Sequence, residues 1–481
     1  MYIGLDLGTS GLKGIVVDDA QRIMAEANAP LTVTRPHDGW SEQDPAQWIA
    51  ALDGVMGALS AQVDLGGVRA VGLSGQMHGA TLLGADGGVL RPAILWNDTR
   101  AAEQAAALDR DPKFRRLTGN IVFPGFTAPK VAWVAENEPA VFAQVAKVLL
   151  PKDYLSYWLT GRLVSDMSDS AGTSWLDVGA RAWSPDLLAA TGMRADQMPE
   201  LVEGCDVIGP LRSNLAADLG LPEGVQVVAG GGDNAASACG VGALAEGDGF
   251  VSLGTSGVLL AARDGFAPRA DSAVHTFCHA IPGTWYQMGV ILAATDSLNW
   301  LSRIVGASPA ELARALGDTI TRPGNLRFLP YLSGERTPHN DSAVRGAFVG
   351  LDIASDRTDL TRAVVEGVSF ALRDSLEALR VTGADLSRVL AIGGGARSRY
   401  WVELLATVLN MPVDLPEKGE FGAALGAARL SICGVTGASP SDVMTKPPVA
   451  ETIEPRVDLR SAYDDAYAAY AASYPTLKAM P

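Results

Sequence analysis

Two stretches of the chain carry the same plan of apolar and small polar positions. Residues 2–18 run as an apolar segment ending at Asp6-Leu7, a turn of small residues, Gly8-Thr9-Ser10-Gly11, and a second segment, Leu12-Lys13-Gly14-Ile15-Val16-Val17. Residues 249–262 repeat it with Gly249-Phe250-Val251-Ser252-Leu253, the turn Gly254-Thr255-Ser256-Gly257, and Val258-Leu259-Leu260-Ala261-Ala262. Short apolar runs on either side of such a turn predict a β-hairpin, so one hairpin is expected in each half. The glycine turn runs into a strand. That separates it from a Walker-type loop and from a dinucleotide-binding fingerprint, in both of which the glycines open a helix.

Two further units follow an α/β pattern. Val225-Gln226-Val227-Val228 predicts a short strand ending in a Gly230-Gly231-Gly232 turn, then Asp233-Asn234 and a helix of small residues. Val389-Leu390-Ala391-Ile392 likewise leads into Gly393-Gly394-Gly395 and a helix with Trp401, Leu404, Leu405 and Val408 at helical spacing. Each places a glycine-rich turn at a helix N-terminus, where the backbone can approach a ligand closely and unpaired N–H groups can meet an anion.

Length turns this repeat into a domain plan. A chain of 481 residues exceeds one ordinary core. Two domains of roughly 200–250 residues with a cleft between them are expected, divided near residue 245 into 1–244 and 245–481. The composition, 48% hydrophobic and 19% charged, is that of a globular protein. A formal charge of −16 argues against nucleic-acid and anionic-membrane partners. The start of the chain lacks a signal-peptide pattern and no segment approaches a membrane-spanning run, so a cytoplasmic location is expected. The four cysteines are widely spaced and form no disulfide framework or zinc cluster; Cys278 beside His275 and His279 reads as packing.

Phosphoryl transfer needs groups that hold phosphates, a metal, and a carboxylate that accepts the hydroxyl proton. Asp6, at the mouth of the first hairpin, suits Mg²⁺, which prefers oxygen ligands and keeps several waters. Thr9, Ser10, Thr255 and Ser256 supply hydroxyls and backbone N–H groups, and Lys13 a positive charge. Either loop alone reads as an ordinary tight turn. Five identical residues in the same strand context point instead to one phosphate-binding device used twice. Asp233 reads by default as a helix cap worth about 1 kcal/mol. Facing the cleft, and ionised at a reference pKa of about 3.9, it would also serve as a proton acceptor.

These residues together resemble the FGGY carbohydrate kinases. The resemblance rests on Asp6-Leu7-Gly8-Thr9-Ser10-Gly11, the second Gly254-Thr255-Ser256-Gly257 loop, and the two triple-glycine turns. Two signature-like segments add to it, one from Gly125 through Lys130 and Trp133 to Asn137, the other from Gly346 to Gly367. Within the family, four segments are similar to members that act on D-xylulose: Ser74-Gly75-Gln76-Met77-His78-Gly79, Trp96-Asn97-Asp98-Thr99-Arg100, Leu150-Pro151-Lys152-Asp153-Tyr154, and Tyr331 to Pro338. Glycerol kinases carry Arg-Glu where Met77-His78 stand.

The resemblance implies two actin-like domains with ribonuclease-H-like cores flanking a catalytic cleft, the sugar held mainly by the first and MgATP mainly by the second. It implies Asp233 as general base toward the 5-hydroxyl of D-xylulose, and Asp6, read above as suited to Mg²⁺, is expected as catalytic metal ligand. Asn234, Met77, His78, Trp96 and Asp98 are expected at the sugar. Thr9, Ser10, Lys13, Gly254, Thr255 and Ser256 are expected at the ATP phosphates, with Gly394, Gly395 and Ala396 along the adenosine. Trp96, Asp98 and Arg100 either shape the pocket wall or pin a loop through an Asp–Arg pair. Lys130 and Trp133 either belong to the site or serve packing, and Glu335 and Arg336 either line the cleft or lock a loop. Another ketopentose or a polyol is the alternative acceptor, and a sugar-independent actin-like ATPase the alternative activity. A homodimer is the family expectation, while the tyrosines 463, 467, 470 and 474 read as packing onto their own domain.

Overall fold

The computed structural model describes residues 1–417 and 421–479. Both expected hairpins are present. In the first half, β1 (Tyr2–Leu7), β2 (Gly11–Val17), β3 (Ile23–Pro30), β4 (Ala70–Gly75), β5 (Val207–Pro210) and β6 (Gln226–Gly232) form one sheet in the order β5-β6-β4-β1-β2-β3. In the second half, β7 (Gly249–Leu253), β8 (Gly257–Arg263), β9 (His275–Cys278), β10 (Trp285–Ile291), β11 (Val389–Ile392), β12 (Val413–Pro416) and β13 (Val449–Ile453) form another in the order β9-β10-β8-β7-β11-β12-β13.

The two sheets are topological copies. β1, β2 and β3 are antiparallel, β4 and β6 add parallel on the other side of β1, and β5 closes antiparallel. β7, β8 and β10 repeat the antiparallel trio, β11 and β12 the parallel pair, and β13 the antiparallel edge. Three antiparallel strands followed by two parallel ones are the ribonuclease-H-like order, and its duplication in one chain is the actin-like arrangement. β9 extends the second sheet.

The helices that matter for the site are α1 (Pro45–Ser60), α2 (Thr127–Asn137), α3 (Pro151–Thr160), α4 (Asp233–Val241), α5 (Thr295–Val305), α6 (Arg357–Val381), α7 (Arg399–Leu409), α8 (Ala423–Thr436) and α9 (Arg460–Ala471). β1 is buried along nearly its whole length because helices cover both faces of its sheet, as a mainly apolar central strand requires. One of those coverings is α8, which arrives from the second half of the chain and crosses α4 at Gly426. A Cβ there would lie 1.7 Å from the Ala236 carbonyl oxygen, so only glycine permits the approach. Past this crossing, Arg429 Nη1 donates to the carbonyl oxygens of Cys239, Gly240 and Thr445 at 3.0, 2.8 and 3.0 Å. It places a cation at the negative end of α4.

The structure changes two sequence expectations. Gly230-Gly231-Gly232 is not a turn after a strand: β6 continues through all three glycines. Gly230 has φ 77°, and a Cβ on it would lie 1.6 Å from the Leu73 carbonyl oxygen of β4, so the glycines let two strands pass and bulge against each other. Likewise Gly393-Gly394-Gly395 does not open α7. A 3₁₀ turn over Gly394–Arg397 intervenes, and Ser398 caps α7 by accepting from Trp401 N.

Other expectations hold. Tyr463 and Tyr470 are fully buried and the Tyr467 hydroxyl donates to Asp374 of α6 at 2.7 Å, so α9 packs on its own half. Cys278 Sγ faces the Val178 carbonyl and His279 Nε2 the Ala243 carbonyl, which is packing and not metal ligation. No helix of the described residues is long and apolar enough to cross a membrane.

Candidate active site

Three neighbouring parallel strands of the first sheet end at one edge, and each delivers a candidate residue there. Asp6 is the penultimate residue of β1, in register with Lys13 on β2 and Ser74 on β4. Gln76, Met77 and His78 follow β4, and Asp233 follows β6. In open α/β sheets ligands bind in the crevice outside the carboxyl ends of the strands.

Asp233 is the first residue of α4, with Gly232 in the capping position, so the expectation of an aspartate cap is corrected. Its Oδ1 accepts from Asn234 N at 2.7 Å and Asn234 Nδ2 at 2.9 Å. Burial, and then the negative charge of Asp6, raise its pKa to about 7 against the pull of those two hydrogen bonds. The carboxyl therefore titrates close to neutral pH, the range that suits a general base, and not near its reference value. Two carboxylates that feel each other's charge are the hard oxygen donors a Mg²⁺ ion takes, and a divalent cation between them would relieve their repulsion. On this chemistry Asp6 fits the metal.

Asp233 is braced from behind by residues whose role the sequence did not announce. Lys152, at the start of α3, is buried among Asp153, Asp166 and Asp169, with its Nζ 2.6, 2.7 and 3.8 Å from their oxygens. Three aspartates this close have metal-ligand spacing, but Lys152 already places a cation there. Burial first, with Asp153, Asp166 and Asp233 adding against the pull of Lys152, holds the Asp169 carboxyl well above the usual range. From this cluster Asp166 Oδ2 accepts from the Ser168 hydroxyl, which in turn accepts from Gly232 N at 3.1 Å. The peptide next to Asp233 is thus tied to a buried ion cluster. The Leu-Pro-Lys-Asp-Tyr segment was the one available signal, and it named Lys152 and Asp153 without Asp166 and Asp169.

Met77 and His78 come against this brace. A Cβ on Gly232 would lie 2.9 Å from Met77 Cγ, and Tyr286 of β10 donates to Met77 Sδ at 3.7 Å. His78 holds φ 71°, stacks on Phe126 at 4.5 Å, and its Nδ1 is 2.7 Å from the Gly172 carbonyl oxygen. A carbonyl only accepts, so Nδ1 carries the proton. Burial pulls the pKa down to about 3, leaving a neutral ring whose Nε2 is an acceptor.

Lys130 of α2 ties elements together behind this arrangement. Its Nζ is 2.7, 3.1 and 3.0 Å from the carbonyl oxygens of His78, Ile94 and Leu95. Burial lowers its pKa well below the usual value, yet three acceptors match the three donors of the ammonium and exceed those of the amine. It staples the His78 loop to the strand leading into Trp96.

The remaining expectations divide. Asp98 is not open to a ligand: its two oxygens take the Arg100 guanidinium and backbone N–H, and Ser41 N at 2.6 Å, so it pins the loop. Arg100 also reaches Glu42 and lies 3.6 Å over the Trp40 ring. Glu335 likewise locks a loop, accepting from Leu292 N at 3.0 Å and Arg336 N at 2.8 Å. Trp96 is half-buried and gives its indole N–H to Thr9 Oγ1 at 2.9 Å. Ser10 and Thr255 stand exposed at their hairpin turns, with Ser256 half-buried beside Thr255.

The second hairpin turn docks on the start of α5, where Thr295 N and Oγ1 meet the Gly254 carbonyl and Ala294 N the Thr255 carbonyl. Next to it opens a cavity of about 560 Å³ lined by Thr295, Leu298, Asn299, Gly394, Gly395 and Arg397 among others. Its size and mainly apolar wall suit a nucleoside. Ala396 packs toward the core instead of the cavity.

The comparisons with known proteins agree with this geometry. Residues 1–240 match the N-terminal domain, and residues 249–434 the C-terminal domain, of the FGGY family of carbohydrate kinases. The chain is 50% identical to a xylulose kinase of Escherichia coli (strain K12) over 435 residues, covering 90% of this chain and 89% of that one. It is 48% identical to a xylulose kinase of Klebsiella pneumoniae over 465 residues, covering 96% of each. Among solved structures, a xyloylose kinase from Brucella ovis superposes with a TM-score of 0.97 at 58% identity and full coverage of both chains. With two ribonuclease-H-like halves, a carboxylate at the edge of the first sheet and both family domains in sequence, this chain belongs to the FGGY family of carbohydrate kinases.

Proposed function

We propose that the chain transfers the γ-phosphoryl group of ATP to the 5-hydroxyl of D-xylulose, yielding D-xylulose 5-phosphate and ADP. The observation that carries the proposal is Asp233, an aspartate whose pKa is raised to about 7 within the field of Asp6, directly after Gly232, which packs on Met77. The strong identity to xylulose kinases along almost the whole chain supports the sugar.

In this reading the sugar hydroxyl approaches Asp233, which accepts its proton as the new O–P bond forms and the bond to the β-phosphate oxygen breaks in line. His78 Nε2 accepts from a second sugar hydroxyl, and Asn234 orients the Asp233 carboxylate through two hydrogen bonds. Ser10, Thr255 and Ser256 and the turn N–H groups hold phosphate oxygens, with Lys13 beside Asp6 adding positive charge. Asp6 would hold Mg²⁺, which would supply positive charge against the phosphate oxygens. The proposed division of labour is 1–244 for the sugar and 245–481 for ATP, with Gly394 and Gly395 along the adenosine. The family resemblance supports a homodimer, which light scattering tests.

The decisive assay is ADP release with MgATP across a panel of ketopentoses, polyols and a no-sugar control. D-xylulose should be the best acceptor in the wild-type chain, and Asp233→Asn should lose at least about 10³-fold in kcat with an unchanged circular dichroism spectrum. ADP release independent of sugar would support an ATPase instead.

A further inference from the structure

The repeat itself holds an asymmetry. Thr9 and Thr255 occupy the same position of the two Leu-Gly-Thr-Ser-Gly turns, yet Thr255 is exposed while Thr9 is half-buried and bonded on both sides. The Thr9 hydroxyl donates to Gln76 Oε1 at 2.9 Å and accepts from Trp96 Nε1 at 2.9 Å, and the Thr9 carbonyl accepts from Gln43 Nε2 at 2.7 Å.

The direction of every bond in this network is determined. Trp48 Nε1 can only donate, and it lies 3.0 Å from Gln43 Oε1, which fixes the Gln43 amide. Gln43 Nε2 then points to the Thr9 carbonyl, and Gln76 Nε2 donates to Gln43 Oε1 at 3.1 Å. Gln76 Oε1 is left as the acceptor for the Thr9 proton, and the Thr9 oxygen accepts from the indole of Trp96, again a pure donor. Gln43 and Gln76 are 0% and 2% exposed, so water is kept from the two amides at the centre of the network. A fully connected network with a buried centre has one low-energy arrangement, and shifting any member unpairs another.

We infer that Thr9 is a positioning residue that couples the sugar wall to the phosphate hairpin, and that its pseudo-equivalent Thr255 alone uses its hydroxyl on ATP. Gln76 is followed directly by Met77 and His78, and Trp96 stands two residues past the short strand Ala93–Ile94, which Lys130 staples to His78 through the Ile94 carbonyl. A sugar pressing on Trp96 or the Gln76–His78 loop moves the Thr9 turn with it, and Ser10 and the turn N–H groups travel along. The inference rests on the sugar site of the proposed function. It predicts positive coupling: sugar tightens ATP binding and ATP tightens sugar binding by the same factor.

Calorimetry tests this with D-xylulose and a non-hydrolysable ATP analogue, each alone and each in the presence of the other. In the wild-type chain the sugar should tighten the analogue by about fivefold or more. Thr9→Val keeps the shape and removes the hydroxyl. It should leave analogue affinity without sugar within about twofold, bring the coupling factor close to one, and lower kcat by roughly tenfold. Trp96→Phe, which keeps an aromatic wall and loses the N–H, should reproduce the loss of coupling, and the double variant should lose nothing further. Should Thr9→Val fold poorly, Trp96→Phe carries the test alone. Thr255→Val should weaken the analogue whether or not sugar is present.

A Thr9→Val enzyme that binds the analogue tenfold more weakly without sugar, or keeps the wild-type coupling factor, overturns the inference, as does a wild-type chain without coupling. Failure of the wild-type chain to bind D-xylulose at all would instead overturn the proposed substrate.

Discussion

Ser168 accepts a hydrogen bond from Gly232 N at 3.1 Å, and through it the residue before Asp233 is tied to the Lys152 cluster. The carboxylate proposed to take the substrate proton therefore stands on a support built from a segment some sixty positions earlier in the chain.

Ser168→Ala leaves the buried Gly232 N–H without its acceptor. The expected cost is about 1–3 kcal/mol of stability in urea unfolding. A small shift of Asp233 should also lower kcat by roughly tenfold or more. Unchanged kcat in a correctly folded variant would remove the positioning role.

Lys152→Met is the harsher change behind the same residue, because it strands Asp153 and Asp166 without the ammonium that balances them. Breaking a buried ion cluster from one side costs about 3–5 kcal/mol. The midpoint of chemical unfolding should drop accordingly, or the variant should be insoluble. A stability equal to wild type would show that the cluster is not charged as described.

Lys130→Met removes the three donors that hold the carbonyls of His78, Ile94 and Leu95. The His78 loop loses its tie to Trp96, so KM for the sugar should rise by about tenfold or more while KM for ATP changes little. Steady-state kinetics varying each substrate in turn separates the two.

Glu366 gives a pH dependence with a definite sign. It is 3% exposed, and burial raises its pKa from 4.5 to about 7 although Gly324 N and Arg362 favour the charged form. Between those values the native state holds a proton the unfolded chain has released. The contribution is full below pH 4.5, is lost as pH rises through about 7, and is on the order of 3 kcal/mol. Glu366→Gln stays neutral throughout. Urea midpoints at acid and alkaline pH should fall less for the variant than for wild type, and parallel declines would contradict the shift.

How much of this was legible beforehand depended on the range over which each feature is determined. The two hairpins, the parallel units after them and the family signatures are local patterns, since strand alternation, small-residue turns and glycine runs act over a few neighbouring residues. The same patterns located Asp6, Met77, His78 and Asp233. They misjudged Gly230-Gly231-Gly232, where a strand from residues 70–75 passes so closely that the glycines continue a strand instead of turning.

Tertiary structure decided what each of those side chains has left to offer. Thr9 and Thr255 are identical in local sequence, but Gln76 and Trp96 occupy the hydroxyl of one and leave that of the other exposed. Asp98 and Asp233 are both acidic residues in family-like segments, yet Arg100 and Ser41 consume one, whereas burial beside Asp6 gives the other a pKa near neutrality. A residue's type sets its hydrogen-bonding and charging capacity. Partners brought in from distant segments, and the water they exclude, determine how much of that capacity remains for a ligand.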